Sequence, residues 1–388
     1  MRIAINAISA TAGGAQTYIL NLKRALPALG SHEYRLYIPR SAAQALGGFP
    51  ANFQLLHSRW AERGYAARLL WEQVMLPYAV KQWRADVLIC VGNFCPLWSP
   101  APVLLLMRNP LYFTPRFLDD LLERRHFLWA LRHVAMTRLA LWSAQAAKQT
   151  ITPTAAMEEM VRRTARASLP ALRTIPHGFD PWPNAASALA VHPPLTPPFR
   201  LLMVSHYNYF RNFETVLRAV AQLCRADGNG RWQLLLTADL RAGLRPGGYH
   251  TTRASQLLDE LGIRERVSML GAVPYGDLPR LYRSAHAVIC PAYTESFSHT
   301  VIEAMAMGVP VIASDISVHR EVARDGAAFF SPFDPADLAA RCRTIMEDES
   351  LRARLREAGK KRAQDFSWRR HFQDLLASAA EVAGSYQR

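Results

Sequence analysis

Cysteine is scarce and scattered in this chain, with five residues in 388 and no Cys-x-x-Cys pair. An odd number at wide spacing argues against a disulfide framework and against a structural zinc site, so reduced, mostly buried thiols are expected. Long apolar runs are lacking too: none exceeds Val103–Met107, whereas a membrane-spanning helix needs about 20 residues. The segment Met1–Asn6 is typical of a first strand and not of a secretory leader, so a cytoplasmic location is expected.

Lysine is also rare, because the chain has 5 Lys against 41 Arg within a formal net charge of +15. Residues 1–180 hold 21 Lys+Arg and 10 Asp+Glu, whereas residues 181–388 hold 25 and 21. A basic first half predicts an anionic partner, such as nucleic acid, an acidic lipid surface or a phosphorylated substrate. The alternative is that the arginine excess reflects an Arg-rich, high-GC genome.

The length and the order of elements predict an α/β protein with two domains. Short β-branched or leucine-rich runs alternate with amphipathic stretches in both halves, as in a doubly wound parallel sheet. Strands are expected at 2–7, 34–38, 53–56, 87–91, 102–106 and 150–151, and in the second half at 200–204, 233–237, 267–270, 287–289 and 309–313. Six prolines within 179–198 disfavour helix and central strand, so this segment is expected to link a first domain (1–178) to a second (199–367).

The segment from Pro291 to Ser314 carries the strongest chemical signal. Glu295 lies in a polar loop after a strand, and Glu303 lies in the helix that opens near Thr300. The backbone N–H groups at the start of that helix suit a phosphate, and a carboxylate one turn further can accept hydrogen bonds from vicinal hydroxyls, as a ribose presents. The alternative is that both glutamates are surface residues on an ordinary loop and helix.

Glu295 and Glu303, with seven residues between them, and the following Ala304–Ser314 resemble the E-x7-E signature and downstream consensus of retaining GT-B glycosyltransferases of family 4. The resemblance implies a GT-B fold, with two Rossmann-like domains facing each other across a cleft. The first domain would bind the acceptor and reclaim a C-terminal helix at 368–388, and the second would bind the donor. The implied reaction moves a sugar from a nucleotide-diphosphate-sugar donor to a hydroxyl acceptor with retention of the anomeric configuration.

Further segments resemble the family and imply donor contacts. Gly13 and Gly14 occupy the first strand–helix loop, whose glycines let the backbone approach the donor phosphates. The segment 270–285 resembles the strand and helix that flank the donor base, and 175–180 resembles the hinge. The implied donor-binding residues are Gly13, Gly14, Val273, Ser298, His299, Thr300 and Glu303.

The segment from Val204 to Asn212 resembles the family motif whose two cations, five residues apart, hold the donor pyrophosphate. The resemblance implies catalytic roles for His206 and Arg211, which would stabilise the leaving diphosphate, and for Glu295, which would hold the sugar hydroxyls. His206 acts as a cation only when it is protonated, and the alternative is a packed loop histidine. No Asp-x-Asp motif is present and the family typically needs no divalent ion, so neither a metal nor a cofactor is expected.

The acceptor side departs from the family. Many members carry a histidine after the strand that ends near Met107, where this chain continues with Arg108, Asn109 and Pro110. Arg108 and Asn109 are therefore the acceptor-side candidates. Arg108 either meets an acceptor phosphate or caps the end of a strand.

The segment from Arg124 to Trp142 mixes cations and aromatic residues at helical spacing. Such a helix can lie on an anionic membrane surface, and the alternative is a helix with one core face and one solvated face. We expect a lipid-linked or cell-envelope glycan as acceptor and peripheral attachment to the inner face of the cytoplasmic membrane. No RNP-type or OB-type pattern is present, so no nucleic-acid partner is expected.

Two other functions stay open on the sequence alone. One is a GT-B relative that alters the donor itself, such as a nucleotide-sugar epimerase or a phosphorylase. The other is a catalytically silent scaffold that binds a membrane or a nucleic acid, against which the intact pair of Glu295 and Glu303 speaks.

Overall fold

A computed structural model of the chain describes residues 1–10, 14–165, 168–182, 193–227 and 230–386. The chain forms two compact units. Unit 1 comprises Met1–Gly178 together with Ser367–Arg388, and unit 2 comprises Phe179–Phe366.

Unit 1 is built on a seven-stranded parallel sheet with the strand order β3-β2-β1-β4-β5-β6-β7. Two of its central strands, β4 and β5, are buried along their whole length, as expected for strands covered by helices on both sides. The strands are β1 (Arg2–Asn6), β2 (Glu33–Tyr37), β3 (Phe53–Leu56), β4 (Val87–Cys90), β5 (Val103–Leu106), β6 (Gln149–Thr152) and β7 (Ala171–Thr174).

Helices cover both faces of this sheet, and each face has its own apolar core. Helices α1 and α14 pack on one face through residues such as Tyr18 and Phe372. Helices α3, α5 and α6 pack on the other face through residues such as Leu76, Ala140 and Met157. The helices of unit 1 are α1 (Gly14–Ala25), α2 (Arg40–Leu46), α3 (Tyr65–Trp83), α4 (Pro115–Glu123), α5 (Phe127–Ala146), α6 (Ala155–Ala165) and α14 (Trp368–Tyr386).

Unit 2 repeats the scheme with a six-stranded parallel sheet in the order β10-β9-β8-β11-β12-β13. Its strands are β8 (Phe199–Met203), β9 (Trp232–Leu236), β10 (Val267–Met269), β11 (Ala287–Cys290), β12 (Val311–Ser314) and β13 (Ala327–Phe330). Its helices are α7 (Phe213–Ala226), α8 (Thr252–Glu260), α9 (Leu278–Ser284), α10 (His299–Ala306), α11 (Ser317–Ala323), α12 (Pro335–Glu347) and α13 (Glu349–Ala363). Both units are therefore Rossmann-like α/β folds.

The strand order of each sheet reverses direction at one point. In unit 1 the chain runs outward from β1 to β3 and then returns to β4 beside β1; in unit 2 it runs from β8 to β10 and returns to β11 beside β8. Ligands of open α/β sheets bind at such switch points, outside the carboxyl ends of the strands. A ligand site in unit 2 is therefore expected at the loops that follow β8 and β11.

Where the chain returns to unit 1 at Ser367, its backbone passes very close to the backbone of Gly178. A Cβ atom added to Gly178 would overlap the backbone of Ser367 and Trp368, where unit 1 resumes. The start of α14 packs against Tyr18 of α1. The Tyr18 hydroxyl lies 2.9 Å from Nε2 of His371, and the Tyr18 ring packs edge-on against Trp368. Glycine at 178 is thus required by space.

The predicted linker at 179–198 differs in part from the structure. Residues 183–192 lie outside the described residues, and the flanking parts belong to unit 2. Trp182 packs against Phe179 and Tyr275, and the carbonyl of Pro194 lies 3.1 Å from Nε2 of His286. These contacts join the described parts of the proline-rich segment to unit 2.

The five cysteines are free and buried, as the sequence predicts. Among the described helices, none combines the length and the apolar character needed to cross a membrane.

Candidate active site

Arg211 and Glu295 meet at the switch point of unit 2. Arg211 lies in the segment after β8 and Glu295 in the segment after β11, and these two strands are neighbours in the sheet. The guanidinium donates a hydrogen bond from Nη1 to Oε1 of Glu295, so the two side chains form an ion pair. Two residues that the sequence predicts as catalytic are thus in direct contact.

The backbone around Arg211 is fixed by two asparagines. Arg211 ends a single 3-10 turn, and its N–H donates to Oδ1 of Asn208 at 3.0 Å. Asn212 adopts a left-handed conformation (φ 54°), and its side-chain amide donates to the carbonyls of Pro291 and Pro332. These bonds connect the loop after β8 to the ends of β11 and β13.

The electrostatic environment of Arg211 is unusual. Burial lowers the pKa of the guanidinium to about 10, so it stays cationic at neutral pH but is poorly solvated. Its Nε atom is buried and has no hydrogen-bond partner among the described residues. A buried donor without an acceptor is costly, so this group is suited to an anionic ligand that supplies the missing oxygen.

Glu303 lies one turn into α10 and is buried. The hydroxyl of Tyr282 in α9 donates to its Oε2 at 2.7 Å. Burial raises the pKa of Glu303 to about 7, although the hydrogen bond from Tyr282 works in the opposite direction. The carboxyl therefore changes its protonation near neutral pH.

The start of α10 lies beside Arg211. A small cavity is lined by Arg211, Ser205, Ser298 and Thr300. The first N–H groups of any α-helix have no acceptor within the helix and carry partial positive charge. Arg211 and the first turn of α10 thus both supply hydrogen-bond donors beside this cavity, while Glu295 balances the charge of Arg211.

A buried histidine that the sequence analysis missed holds this helix start. His319 of α11 donates from Nδ1 to the carbonyl of Ser314 at 2.9 Å, so its Nε2 accepts from the Ser298 hydroxyl at 3.1 Å. Burial lowers the pKa of His319 to about 4 and keeps the ring neutral. Ser298 is left-handed (φ 66°), a conformation that non-glycine residues seldom adopt, and the bond to His319 helps to hold it. Only the fold brings these residues together.

The other predicted donor residues occupy separate places. His206 lies in the loop after β8 with an exposed side chain. Val273 is half-buried in the loop after β10, and His299 is the first residue of α10. Because parallel strands end at one edge, all three lie at the carboxyl edge of the unit 2 sheet. Their contact with a donor stays a prediction.

The predicted residues of unit 1 lie at the switch point of its own sheet. Arg108, after β5, donates to the carbonyls of Val91 (3.3 Å) and Gly14 (2.9 Å), and its guanidinium lies 4.2 Å from the centre of the Tyr18 ring. The bond to Val91, which follows β4, is the kind expected if Arg108 caps the end of a strand. Burial lowers the pKa of Arg108 to about 10. A role toward an acceptor stays a prediction.

Asn109 and the predicted glycines complete that region. The side chain of Asn109 accepts from the N–H of Leu111 at 3.1 Å, and its own backbone is held by Asn93. Gly14 is the exposed first residue of α1. Gly13 lies outside the described residues.

Fold and site together define a protein of two Rossmann-like α/β units, in which Arg211 and Glu295 are paired at the switch point of unit 2. Residues 12–182 match the family described as "Glycosyltransferase Family 4", and residues 190–362 match "Glycosyl transferases group 1". These matches cover both units. The chain belongs to the family 4 glycosyltransferases.

Among curated proteins, a D-inositol 3-phosphate glycosyltransferase from Salinispora tropica is 33% identical over 147 residues, which are 37% of this chain and 30% of the relative. The match thus spans about a third of that protein. Among solved structures, a sucrose-phosphate synthase from Thermosynechococcus elongatus has a TM-score of 0.75 at 20% identity, covering 100% of this chain and 98% of that one. Anabaena HepE in complex with UDP and glucose has a TM-score of 0.70 at 19% identity, covering 98% and 100%. This chain has the GT-B fold of these structures.

Proposed function

We propose that this protein transfers a sugar from a nucleotide-diphosphate-sugar donor to a hydroxyl acceptor and retains the anomeric configuration. The observation that carries the proposal is the partly buried Arg211, whose buried Nε lacks an acceptor while Nη1 is bound to Glu295. A diphosphate beside Arg211 would supply that acceptor. The relative HepE was solved with UDP and glucose, which supports a donor of this chemical class.

The proposed mechanism begins with an exchange of partners. A donor phosphate takes the guanidinium of Arg211, and Glu295 is released to accept hydrogen bonds from the sugar. As the glycosidic bond breaks, negative charge grows on the leaving diphosphate, which takes the proton of the acceptor hydroxyl while that hydroxyl oxygen forms the new bond to the sugar. Arg211 and the first turn of α10 stabilise that charge because they are already oriented toward it. His206 would add a second cation when it is protonated.

Glu303 is assigned to the ribose of the donor. Its Oε2 accepts from Tyr282, and Oε1 is proposed to accept from a ribose hydroxyl, a bond that is strongest when the carboxylate is ionised. No metal or cofactor has a role in this scheme, because the charge on the diphosphate is balanced by fixed cations. Activity is therefore expected to survive treatment with EDTA.

The acceptor is proposed to be a lipid-linked or cell-envelope glycan, and the protein to work at the inner face of the cytoplasmic membrane. The excess of positive charge in residues 1–180 supports an acceptor that carries phosphate or lies at an anionic surface. The glycosyltransferase from Salinispora tropica is named for a phosphorylated acceptor, D-inositol 3-phosphate.

The test is a transfer assay with a panel of nucleotide-sugars and hydroxyl acceptors, in which the product is examined by NMR. The proposal predicts a glycoside with the anomeric configuration of the donor, together with release of a nucleoside diphosphate. A product with inverted configuration would overturn retention. An epimerised donor, or a sugar phosphate formed only with inorganic phosphate, would support the epimerase or the phosphorylase instead.

A further inference from the structure

We propose that one face of unit 1, formed by α3, the loop at Leu97 and Trp98, and α5, binds the surface of an anionic lipid membrane. The proposal rests on the proposed function, because it identifies the surface from which a lipid-linked acceptor would be taken.

Helix α3 presents an apolar stripe to solvent. Leu70, Val74 and Tyr78 follow one another at four-residue intervals, so they lie on one side of the helix. Each of the three is more than half exposed, and the neighbouring Met75 is half exposed. This stripe is not needed for packing on the sheet, because the opposite side of the helix already supplies Leu76 and Val80 to the core.

Helix α5 and the loop before β5 extend this surface. Leu128 is 82% exposed and Leu131 is 70% exposed, three residues apart on the outer side of α5. Trp98 is 66% exposed, and Trp142 near the end of α5 is also more than half exposed. Large apolar side chains are therefore exposed on all three elements.

Hydrogen bonds show that these elements are neighbours. The side-chain amide of Gln73 in α3 donates to the carbonyl of Cys95 and accepts from the N–H of Leu97. The N–H of Cys95 donates to the hydroxyl of Ser143 in α5 at 3.3 Å. The two helices also belong to the same core cluster on one side of the sheet. The loop at Leu97 and Trp98 is therefore held against α3 on one side and α5 on the other.

The charge of this face suits anionic lipid. Helix α5 contains Arg132 and Arg138 and no acidic residue. Helix α3 carries Lys81 in its last turn and is followed by Arg84, and its single acidic residue, Glu72, is buried. Apolar side chains that enter the lipid interface, bordered by cations that meet the headgroups, are the pattern of a peripheral membrane surface. Exposed apolar patches of this extent are uncommon on proteins without a binding partner.

One cation of the basic segment is already paired within the protein. Arg124, at the start of the basic segment, is bound to Asp120 at 2.9 Å. Its charge is thus partly neutralised. The apolar stripe of α3 and Trp98 lie outside that segment and give more direct test positions.

The experiment measures binding of the full chain to vesicles of phosphatidylglycerol and phosphatidylcholine by co-sedimentation. Wild-type protein should bind the anionic vesicles, less at higher salt, and should not bind pure phosphatidylcholine. The variants Leu70→Gln/Val74→Gln and Leu128→Gln/Leu131→Gln should each lower the partition coefficient at least tenfold. The control Leu244→Gln removes an exposed leucine of unit 2 and should bind like wild type.

Thermal unfolding of each variant distinguishes lost binding from lost folding, since outward-facing substitutions should leave the unfolding temperature unchanged. Failure of the folded wild-type protein to bind anionic vesicles would overturn the proposal, as would equal loss of binding in the Leu244→Gln control. A stable dimer in solution that the α5 variant dissociates would assign this face to a second copy. Vesicle binding by a protein that transfers no sugar would contradict the proposed function and leave this inference standing.

Discussion

Arg211 and Glu295, which are 84 residues apart in sequence, hold each other at the switch point of unit 2. Glu295 is buried, whereas about a quarter of the Arg211 side chain is accessible. The pair keeps a buried carboxylate compensated when no donor is bound. In the proposed mechanism both residues change partner when the diphosphate enters, so each has a role before and during the reaction.

Replacing Arg211 by Ala should lower kcat/KM about 10²–10³-fold. This is a loss of about 2.7–4 kcal/mol of transition-state stabilisation, the range for removal of one preorganised donor to a developing anion. Arg211→Lys should recover much of the activity, because lysine also places a cation near the phosphates. Steady-state kinetics with a verified donor measures both effects. Unchanged kinetics of Arg211→Ala would remove this residue from the site.

The two glutamates should differ in their kinetic effects. Glu303→Ala should weaken donor binding, because this carboxylate is assigned to the ribose. Glu295→Ala should lower kcat with a smaller loss of nucleotide affinity, because this carboxylate is assigned to the sugar. Calorimetric titration with the nucleotide, together with kcat, separates the two. Wild-type values for both variants would show that the E-x7-E assignment is wrong.

Donor affinity should rise as the pH increases through about 7. Burial raises the pKa of Glu303 to about 7, and the ionised carboxylate is the stronger acceptor for the ribose hydroxyl. The Kd of the nucleotide-sugar should therefore fall between pH 5.5 and 8 in wild type, and Glu303→Gln should lose this fall. A parallel pH dependence in both proteins would assign the titration to another group.

The raised pKa of Glu303 also makes the stability of the folded state depend on pH, and this contribution falls with rising pH whereas donor affinity rises. The folded state holds the Glu303 proton more tightly than the unfolded state, whose carboxyl has the usual value of 4.5. This contribution to stability is present at low pH and is lost as the pH rises from about 4.5 through about 7. Glu303→Gln should remove that part of the pH dependence of the unfolding temperature.

Gly178→Ala should destabilise the protein, because the added methyl would overlap the backbone of Trp368 and a backbone cannot move aside as a flexible side chain can. Overpacking of this kind typically costs about 1–3 kcal/mol. The control is Gly48→Ala, where the added Cβ meets open space. Denaturant unfolding compares the two, and equal stability would contradict the required close approach.

The sequence predicts every described strand except one edge strand in each sheet, whereas the other edge strands, β3 and β10, are predicted within one residue. The predicted strands at 87–91 and 287–289 correspond to β4 and β11, within one residue at either end. The strands β7 (Ala171–Thr174) and β13 (Ala327–Phe330) were missed. Each lies at the edge of its sheet and pairs on one side only. Four-residue segments with alanine or polar residues carry little local strand signal, and pairing with the neighbouring strand decides their conformation.

For the site, local sequence predicts that a loop with Glu295 precedes a helix with Glu303, which α10 confirms. The bond of Glu295 to Arg211 depends on β8 lying beside β11, and no local pattern specifies that order. The support that His319 gives to Ser298, and that Tyr282 gives to Glu303, likewise arises from helices packed side by side. These partners could not be identified from the sequence.

A thermal-shift screen of nucleoside diphosphates measures whether the site around Arg211 and Glu303 binds the leaving group of the proposed donor. A ligand that binds only the folded state at 100 times its Kd adds about 2.7 kcal/mol of stability. At least one nucleoside diphosphate should raise the unfolding temperature of wild type, and Arg211→Ala and Glu303→Ala should lose most of this shift. No shift with any nucleotide, or an equal shift in all three proteins, would contradict binding at this site.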